Sequence, residues 1–170
     1  MYVQTRQEYD AIVVGSGIAG GWAAKELAEK GMKVLVLERG RKIEHGQYPT
    51  EHVDPWDFDQ RGMSVKYVYE QDYPVQSRDG AFNESTAHWF VSDREQPYQT
   101  AAGTNFRWIR GYHLGGRSLK WGRQCYRWSD LDFEANLRDG NGADWPIRYA
   151  DIAPWYSYVE RHVGISGEKL

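Results

Sequence analysis

The sequence predicts an α/β fold, and three observations carry that prediction. Ala11-Ile12-Val13-Val14 and Val34-Leu35-Val36-Leu37 are short apolar runs rich in β-branched residues, the pattern of parallel strands buried on both faces. Between them Ala19, Ala23 and Leu27 recur at spacing four, the stripe of a helix packed on a sheet. The turn Gly15-Ser16-Gly17-Ile18-Ala19-Gly20 joins the first strand directly to that helix. Residues 9–40 therefore read as a Rossmann-like βαβ unit. The α/β sheet is incomplete in this chain, and long loops and C-terminal helices follow the unit.

In chain order, Gly31 ends the helix in a left-handed conformation, and Glu38 stands at the exit of the second strand. From residue 41 to 104 the periodicity fades. Pro49, Pro55, Pro74 and Pro97 interrupt it, as does the polar cluster Gln76-Ser77-Arg78-Asp79-Gly80. This stretch reads as a loop excursion, in which Tyr67-Val68-Tyr69 is a candidate short strand. Residues 105–128 form a glycine-containing cationic loop. Near the end, Ser129 or Asp130 caps a helix running to Asn136, and Asp139-Gly140-Asn141-Gly142 makes a turn. Ile152, Trp155, Tyr156, Val159 and Val163 mark one face of a last helix. Pro154 fits only its first turn, and Gly164 stops it.

Composition limits the function classes. A net charge of −3 makes the whole chain a poor general polyanion binder. The single Cys125 excludes an internal disulfide framework and fits a reducing compartment. No apolar run approaches the roughly 18 residues a membrane helix needs. Met1 to Glu8 is polar and holds no secretory apolar segment. The expectation is a soluble, cytoplasmic chain without a membrane span, and no metal site is expected.

The glycine turn has a chemical reading. Gly15 permits a tight exit from the strand, Gly17 lets the backbone approach a pyrophosphate, and Gly20 lets helix and strand pack closely. The N–H groups of Ser16, Ile18 and Ala19 then lie at a helix N-terminus, which attracts phosphate. Glu38 follows Gly15 by 23 positions, near the spacing of about 20 of a ribose-binding acid. Its carboxylate is expected to accept both ribose hydroxyl protons. The same acid repels a 2′-phosphate, while the adjacent Arg39 would attract one. Residues 15–38 thus predict a dinucleotide site without choosing between FAD and NAD.

A second glycine motif, Gly115-Gly116-Arg117-Ser118-Leu119-Lys120-Trp121-Gly122, lies in a stretch with no acid between Gln96 and Ser129. Arg107, Arg110, Arg117, Lys120, Arg123 and Arg127 alternate there with aromatic rings. Such a loop suits a flat anionic ligand, either a reduced flavin or single-stranded nucleic acid. It is also compatible with a solvated basic face.

Together the two glycine motifs resemble the glucose–methanol–choline (GMC) family of flavoprotein oxidoreductases. Tyr9 to Gly17 with Val36-Leu37-Glu38-Arg39-Gly40 looks like the family's FAD-binding start, and Gly115-Gly116-Arg117-Ser118 like its second signature, which passes the flavin ring. Asp144-Trp145-Pro146-Ile147 and Pro154-Trp155-Tyr156 resemble members acting on sugars or glycosides. The resemblance implies FAD as cofactor, held by Gly15, Ser16, Gly17, Ile18, Ala19, Gly20, Glu38, Arg39, Gly115, Gly116, Ser118, Lys120, Trp121 and Gly122. It implies that residues 1–170 are the N-terminal portion of an FAD-binding domain, with a substrate or cap region starting at 129–170. Some sugar oxidases of the family tether FAD through a His before the Trp of the second motif. Lys120 precedes Trp121 here, so the resemblance implies non-covalent FAD. His88-Trp89 mimics that pair but lies upstream of the glycines.

The implied reaction is oxidation of a sugar or glycoside CH–OH group by hydride transfer to flavin N5. The implied base is a His paired with a second His or an Asn near the family's C-terminus. The catalytic residues are thus expected beyond Leu170, in a missing C-terminal portion or a partner chain, and the isolated chain is expected to be inactive. Of the histidines 45, 52, 88, 113 and 162, only His113 lies close to the second glycine pair. Two other readings stand beside this one. One is an NAD-binding module of a two-domain dehydrogenase. The other is a non-enzymatic binding subunit contacting nucleic acid or protein through 107–127, though nucleic acid is not expected as a partner.

Overall fold

The structure is a computed structural model that describes residues 7–44, 46–63 and 65–168. Most of the polar Met1 to Glu8 start, His45 and Leu170 lie outside the described residues. The chain divides into two compact units, Met1–Trp121 and Gly122–Leu170.

The first unit opens with the expected βαβ arrangement. Strand β1 (Ala11–Val14), helix α1 (Ile18–Glu29) and strand β2 (Val34–Leu37) follow one another, and β1 pairs with β2 in parallel, Ala11 opposite Val34 and Val14 opposite Leu37. Gly31 takes φ +86° just after α1, a conformation that costs glycine little. Lys25 and Glu29 form an i,i+4 pair at 2.8 Å on the helix surface.

The sheet is narrower than the strand sequences anticipate. Two strands about 4.8 Å apart cannot cover a helix about 10 Å across. Ala19 and Ala23 of the expected stripe stay exposed, and α1 has no fully buried residue. Ile12 and Val14 are 60% and 82% exposed, while Val13 is buried.

The excursion after β2 has more structure than its sequence suggests. It contains single 3-10 turns at Pro55–Asp57, Gln76–Arg78 and Ala87–Trp89 and one short helix, α2 (Lys66–Tyr69). Tyr67-Val68-Tyr69 is therefore helical, not a strand. Tyr69, at the end of this turn, and Tyr73 after it meet the Phe82 ring at 5.0 and 5.3 Å, and Phe82 meets Phe90 at 5.0 Å, while Tyr67 stays exposed. Phe82, Ala87 and Phe90 form the core of this region. Burying one such aromatic ring contributes about 1.5–3 kcal/mol.

A buried polar knot completes it. Gln76, Asp93 and Arg110 are all buried. Gln76 Nε2 donates to Asp93 Oδ1 (2.9 Å) and to Trp108 O (2.8 Å), while its Oε1 accepts from Arg110 N (2.8 Å). Arg110 NH2 reaches Asp93 Oδ1 at 3.1 Å, and Asp93 Oδ2 accepts from the backbone of Val75 and Gln76. One amide and one ion pair thus join three segments far apart in sequence. Sequence reading assigned Arg110 to an open cationic loop; the structure buries it.

The second unit holds α3 (Asp130–Asp139) and α4 (Tyr149–Val163). Ser129 N and Oγ donate to Asp132 at 2.7 and 2.9 Å, and Gly140 and Gly164 close the two helices with positive φ. Arg127 clamps α4 through Glu160, Ser157 and Tyr149 OH. Pro154 sits at the sixth residue of α4, beyond the first turn that sequence reading allowed it. The Ala150 carbonyl consequently has no i+4 N–H to accept from. Trp155 and Val163 of the expected apolar face remain exposed.

No helix among the described residues is long and apolar enough to cross a membrane, and none of their His, Cys, Asp and Glu clusters could hold a metal ion. Removing one partner of the buried ion pair strands the other charge, at a cost of about 3–5 kcal/mol. Urea unfolding of Asp93→Ala should show a loss of that size, against a surface control such as Glu29→Ala within about 0.5 kcal/mol of wild type.

Candidate cofactor site

The glycine turn takes the shape its residue types suggest. Gly15 adopts φ +92° and donates its N–H to Leu37 O at 2.7 Å, so the turn starts while still tied to β2. A Cβ on Gly20 would overlap the Gly15 carbonyl, so α1 packs against the turn's own backbone. A Cβ on Gly17 would meet nothing within 4 Å. Gly17 therefore keeps a surface clear, and the chain itself does not fill it. It is also the N-cap of α1, with no side-chain cap and no acid in the first helical turn. Ile18 and Ala19 are exposed there. An uncapped helix start beside an open glycine is the cradle a pyrophosphate requires.

Glu38 follows β2 directly. Its Oε2 accepts from Ser16 N (2.8 Å) and Ser16 Oγ (2.6 Å), and its Oε1 accepts from Gly40 N (2.7 Å). These donors, the Ser16 hydroxyl foremost, lower its pKa from 4.5 to about 2. At neutral pH it is an anion and acts only as an acceptor, as a ribose-binding acid must. Both oxygens of the carboxylate are thus held in place by the turn around them, Oε2 by Ser16 and Oε1 by Gly40.

The second motif is delivered to the same place. Gly40 has no room for a side chain because the backbone of Tyr112 and His113 crosses it. Arg41 and His113 pair as a parallel bridge, with Arg41 N to Tyr112 O at 3.2 Å and Leu114 N to Arg41 O at 2.9 Å. That bridge sets Gly115 beside the first turn, where its N–H donates to Ser16 Oγ at 2.8 Å. A Cβ on Gly116 would lie 3.0 Å from the Gly17 Cα. Both glycines have positive φ, and Gly116–Leu119 forms a 3-10 turn in which Ser118 Oγ donates to Gly115 O at 2.6 Å. Residues 99 positions apart thus share one surface.

The remaining sequence candidates make contacts of their own within the chain. Arg39 stacks on the Tyr112 ring at 3.8 Å and bonds Gln96 Oε1 at 3.3 Å, which ties its guanidinium away from a free 2′-phosphate role. Lys120 Nζ donates to Trp89 O at 3.1 Å and sits 3.5 Å over the Phe90 ring. Burial there, with Arg117 adding to it, lowers its pKa to about 8. Trp121 is partly exposed, and Gly122 starts the second unit. His113 is buried with its ring 5.5 Å from Trp89, a packing position, and burial lowers its pKa. His88 stacks on Trp89 at 4.6 Å, and burial foremost brings its pKa down to about 4.

Residues 10–48 match the model of the FAD dependent oxidoreductase family. The chain is 25% identical over 162 residues to 6'''-hydroxyparomomycin C oxidase of Streptomyces lividus, covering 94% of this chain and 23% of that protein. It is 25% identical over 158 residues to the fructose dehydrogenase large subunit of Gluconobacter japonicus, covering 93% of this chain and 27% of that protein. It is 27% identical over 165 residues to 2-methyl-1,2-propanediol dehydrogenase of Mycolicibacterium austroafricanum, covering 93% and 25%. The chain spans about a quarter of the length of these curated relatives. The matches bear out the resemblance drawn from the two glycine motifs, the oxidoreductase class, and FAD as the cofactor.

The depressed acid has a pH consequence with a definite sign. A carboxylate at about 2 when folded and 4.5 otherwise stabilises the folded turn above pH 4.5, and that contribution is lost as pH falls toward 2. His88, neutral down to about pH 4 against an ordinary 6.5, acts in the same direction from pH 6.5 downward. Side-chain carboxyl NMR should give a Glu38 midpoint near 2 in wild type and a higher one in Ser16→Ala. A wild-type midpoint at the ordinary value would contradict the geometry.

Proposed function

We propose that this chain is the FAD-binding portion of an oxidoreductase that oxidises a CH–OH group of a sugar or glycoside. The observation that carries the reading is the junction of the two glycine motifs at Ser16, which leaves Gly17 uncovered between them. A dinucleotide module alone accounts for residues 15–38. It gives no reason for Gly115 to be tied to Ser16 or for Gly116 to lie against Gly17. The sugar or glycoside class is supported by relatives named for aminoglycoside and fructose oxidation.

Each residue then has a role in the proposal. The N–H groups of Ile18 and Ala19 at the uncapped start of α1 take the pyrophosphate charge. Gly17 admits the phosphate backbone, and the Glu38 carboxylate accepts the ribose hydroxyls. Gly115, Gly116 and Ser118 present the tight turn along which the flavin end of the ligand continues. FAD, when bound, supplies the hydride acceptor. Lys120 and Trp121 line the far side of that turn, and Arg39 braces Tyr112 beneath it. FAD is held without a covalent tether in this reading, since the Lys120 amine is engaged by Trp89 O and the Phe90 ring. Residues 41–104 brace the part of the cofactor loop up to Lys120, and 129–170 begin the substrate or cap region. The base for alcohol oxidation is assigned to sequence outside this chain, and the single Cys125 supports a cytoplasmic setting.

Calorimetric titration tests the reading. The chain should bind FAD in preference to NAD. Gly17→Ala, whose methyl meets no atom of the chain, should keep the wild-type melting temperature and lose at least about tenfold in FAD affinity, or 1.4 kcal/mol. Gly20→Ala should lose the fold itself, because its methyl overlaps Gly15. Preference for NAD, or unchanged affinity in Gly17→Ala, would overturn the assignment. The purified 170-residue chain with an electron acceptor should turn over no sugar.

A further inference from the structure

The Ser16 side chain occupies a position that the cofactor reading does not require. Its hydroxyl has one proton, and that proton goes to Glu38 Oε2 at 2.6 Å. Its oxygen then accepts the Gly115 N–H at 2.8 Å. Because Glu38 is held as an anion, it can only accept, and this fixes the direction of the hydroxyl. The acceptor side of Ser16 is therefore turned permanently toward Gly115. The chain Glu38 carboxylate, Ser16 hydroxyl, Gly115 amide is half-buried along its length, and it joins three segments by hydrogen bonds of ordinary length.

The Arg41–His113 bridge places Gly115 from one side, and the Ser16 hydroxyl ties it directly to the first turn. Gly116 touches Gly17 only through backbone approach, and Ser118 bonds within its own turn. Hydrogen bonds to charged groups are stronger than neutral ones, and linked bonds polarise one another. Whatever steadies the Glu38 carboxylate therefore steadies Ser16, and through it Gly115.

We infer that Ser16 is a positioning residue which couples occupation of the ribose acid Glu38 to ordering of the second glycine turn, residues 115–119. The inference rests on the proposed role of Glu38 toward ribose. It predicts that the adenosine half of the ligand prepares the turn that meets the other half. ADP carries the ribose and pyrophosphate but no flavin, so it leaves out the flavin's own contacts with the turn, and Ser16→Ala separates the relay from the direct approach of Gly116 to Gly17.

Amide hydrogen exchange of the full chain, with and without ADP, reads the coupling. In wild type, ADP should slow exchange across residues 15–21 and also across 113–119, by at least about threefold at the second segment. Ser16→Ala should keep the ADP protection at 15–21 and lose it at 113–119. Ser16→Thr, which retains the hydroxyl, should restore it. Circular dichroism and melting temperature establish that each variant is folded. Protection at 113–119 that persists in Ser16→Ala, or fails to return in Ser16→Thr, overturns the inference. If ADP protects 15–21 but never 113–119 in wild type, the coupling is absent while the cofactor reading stands. If ADP protects neither segment, the ribose role of Glu38 fails, and the coupling fails with it.

Discussion

Glu38 is a carboxylate held by the N–H and hydroxyl of Ser16 and by the N–H of Gly40. Its charge is stabilised by the turn it follows and the turn it faces, so the acid holds its shape only when both are formed. Ser16 supplies two of the donors, and one of them is also the acceptor for Gly115. The end of β2, the start of α1 and the second glycine motif consequently depend on one small group of hydrogen bonds. The steric constraints act in concert with it. Gly40 lets the 112–113 backbone cross, Gly20 lets α1 close on its own turn, and a Cβ on Gly17 would meet nothing within 4 Å.

The excursion between the motifs acts as a brace. The Arg41–His113 bridge aligns the second motif with the exit of β2, and Arg41 also reaches His88 O at 2.6 Å. Trp89, Phe90 and Lys120 tie the far end of the second turn to the Phe82 core. The Gln76–Asp93–Arg110 knot anchors that core to the strand-like run before Gly111. Gly111 is required because a Cβ there would lie 2.6 Å from Trp89 O. A region with little regular secondary structure is thus fixed by side chains instead of ladders. Buried hydrogen-bonded polar groups, here Gln76 and Asp93, specify such an arrangement more sharply than apolar contacts do.

This division explains what could be read from the sequence. The βαβ unit was legible because strand and helix periods are local, and the three glycines each answer a local steric demand. The helices at 130–139 and 149–163 were legible through caps and spacing, apart from the last turn of α3, beyond Asn136, and from Pro154, which tertiary context tolerates deeper in α4 than propensity suggests. The helical turn at Lys66–Tyr69 was hidden by β-prone residues whose packing partner, Phe82, is distant in sequence. Lys120 and Arg110 were grouped by charge with a ligand-facing loop, yet their partners, Trp89 and Asp93, are again non-local. The Ser16 relay left no signal in spacing at all. Serine at that position is ordinary in a glycine turn, and only the fold shows what its hydroxyl meets. The family resemblance supplied the identity of the ligand, which neither glycine motif could have fixed by itself.

The central claim is that the two glycine motifs form one site for one ligand, the first gripping its adenosine half and the second its flavin half. Parallel titrations of the chain with ADP and FAD, read by calorimetry and by flavin fluorescence, test it most directly. FAD should bind at one equivalent, at least about tenfold tighter than ADP, with its fluorescence changed on binding. Equal affinity for ADP and FAD with unaltered flavin fluorescence would contradict the claim and reduce the site to a nucleotide turn alone.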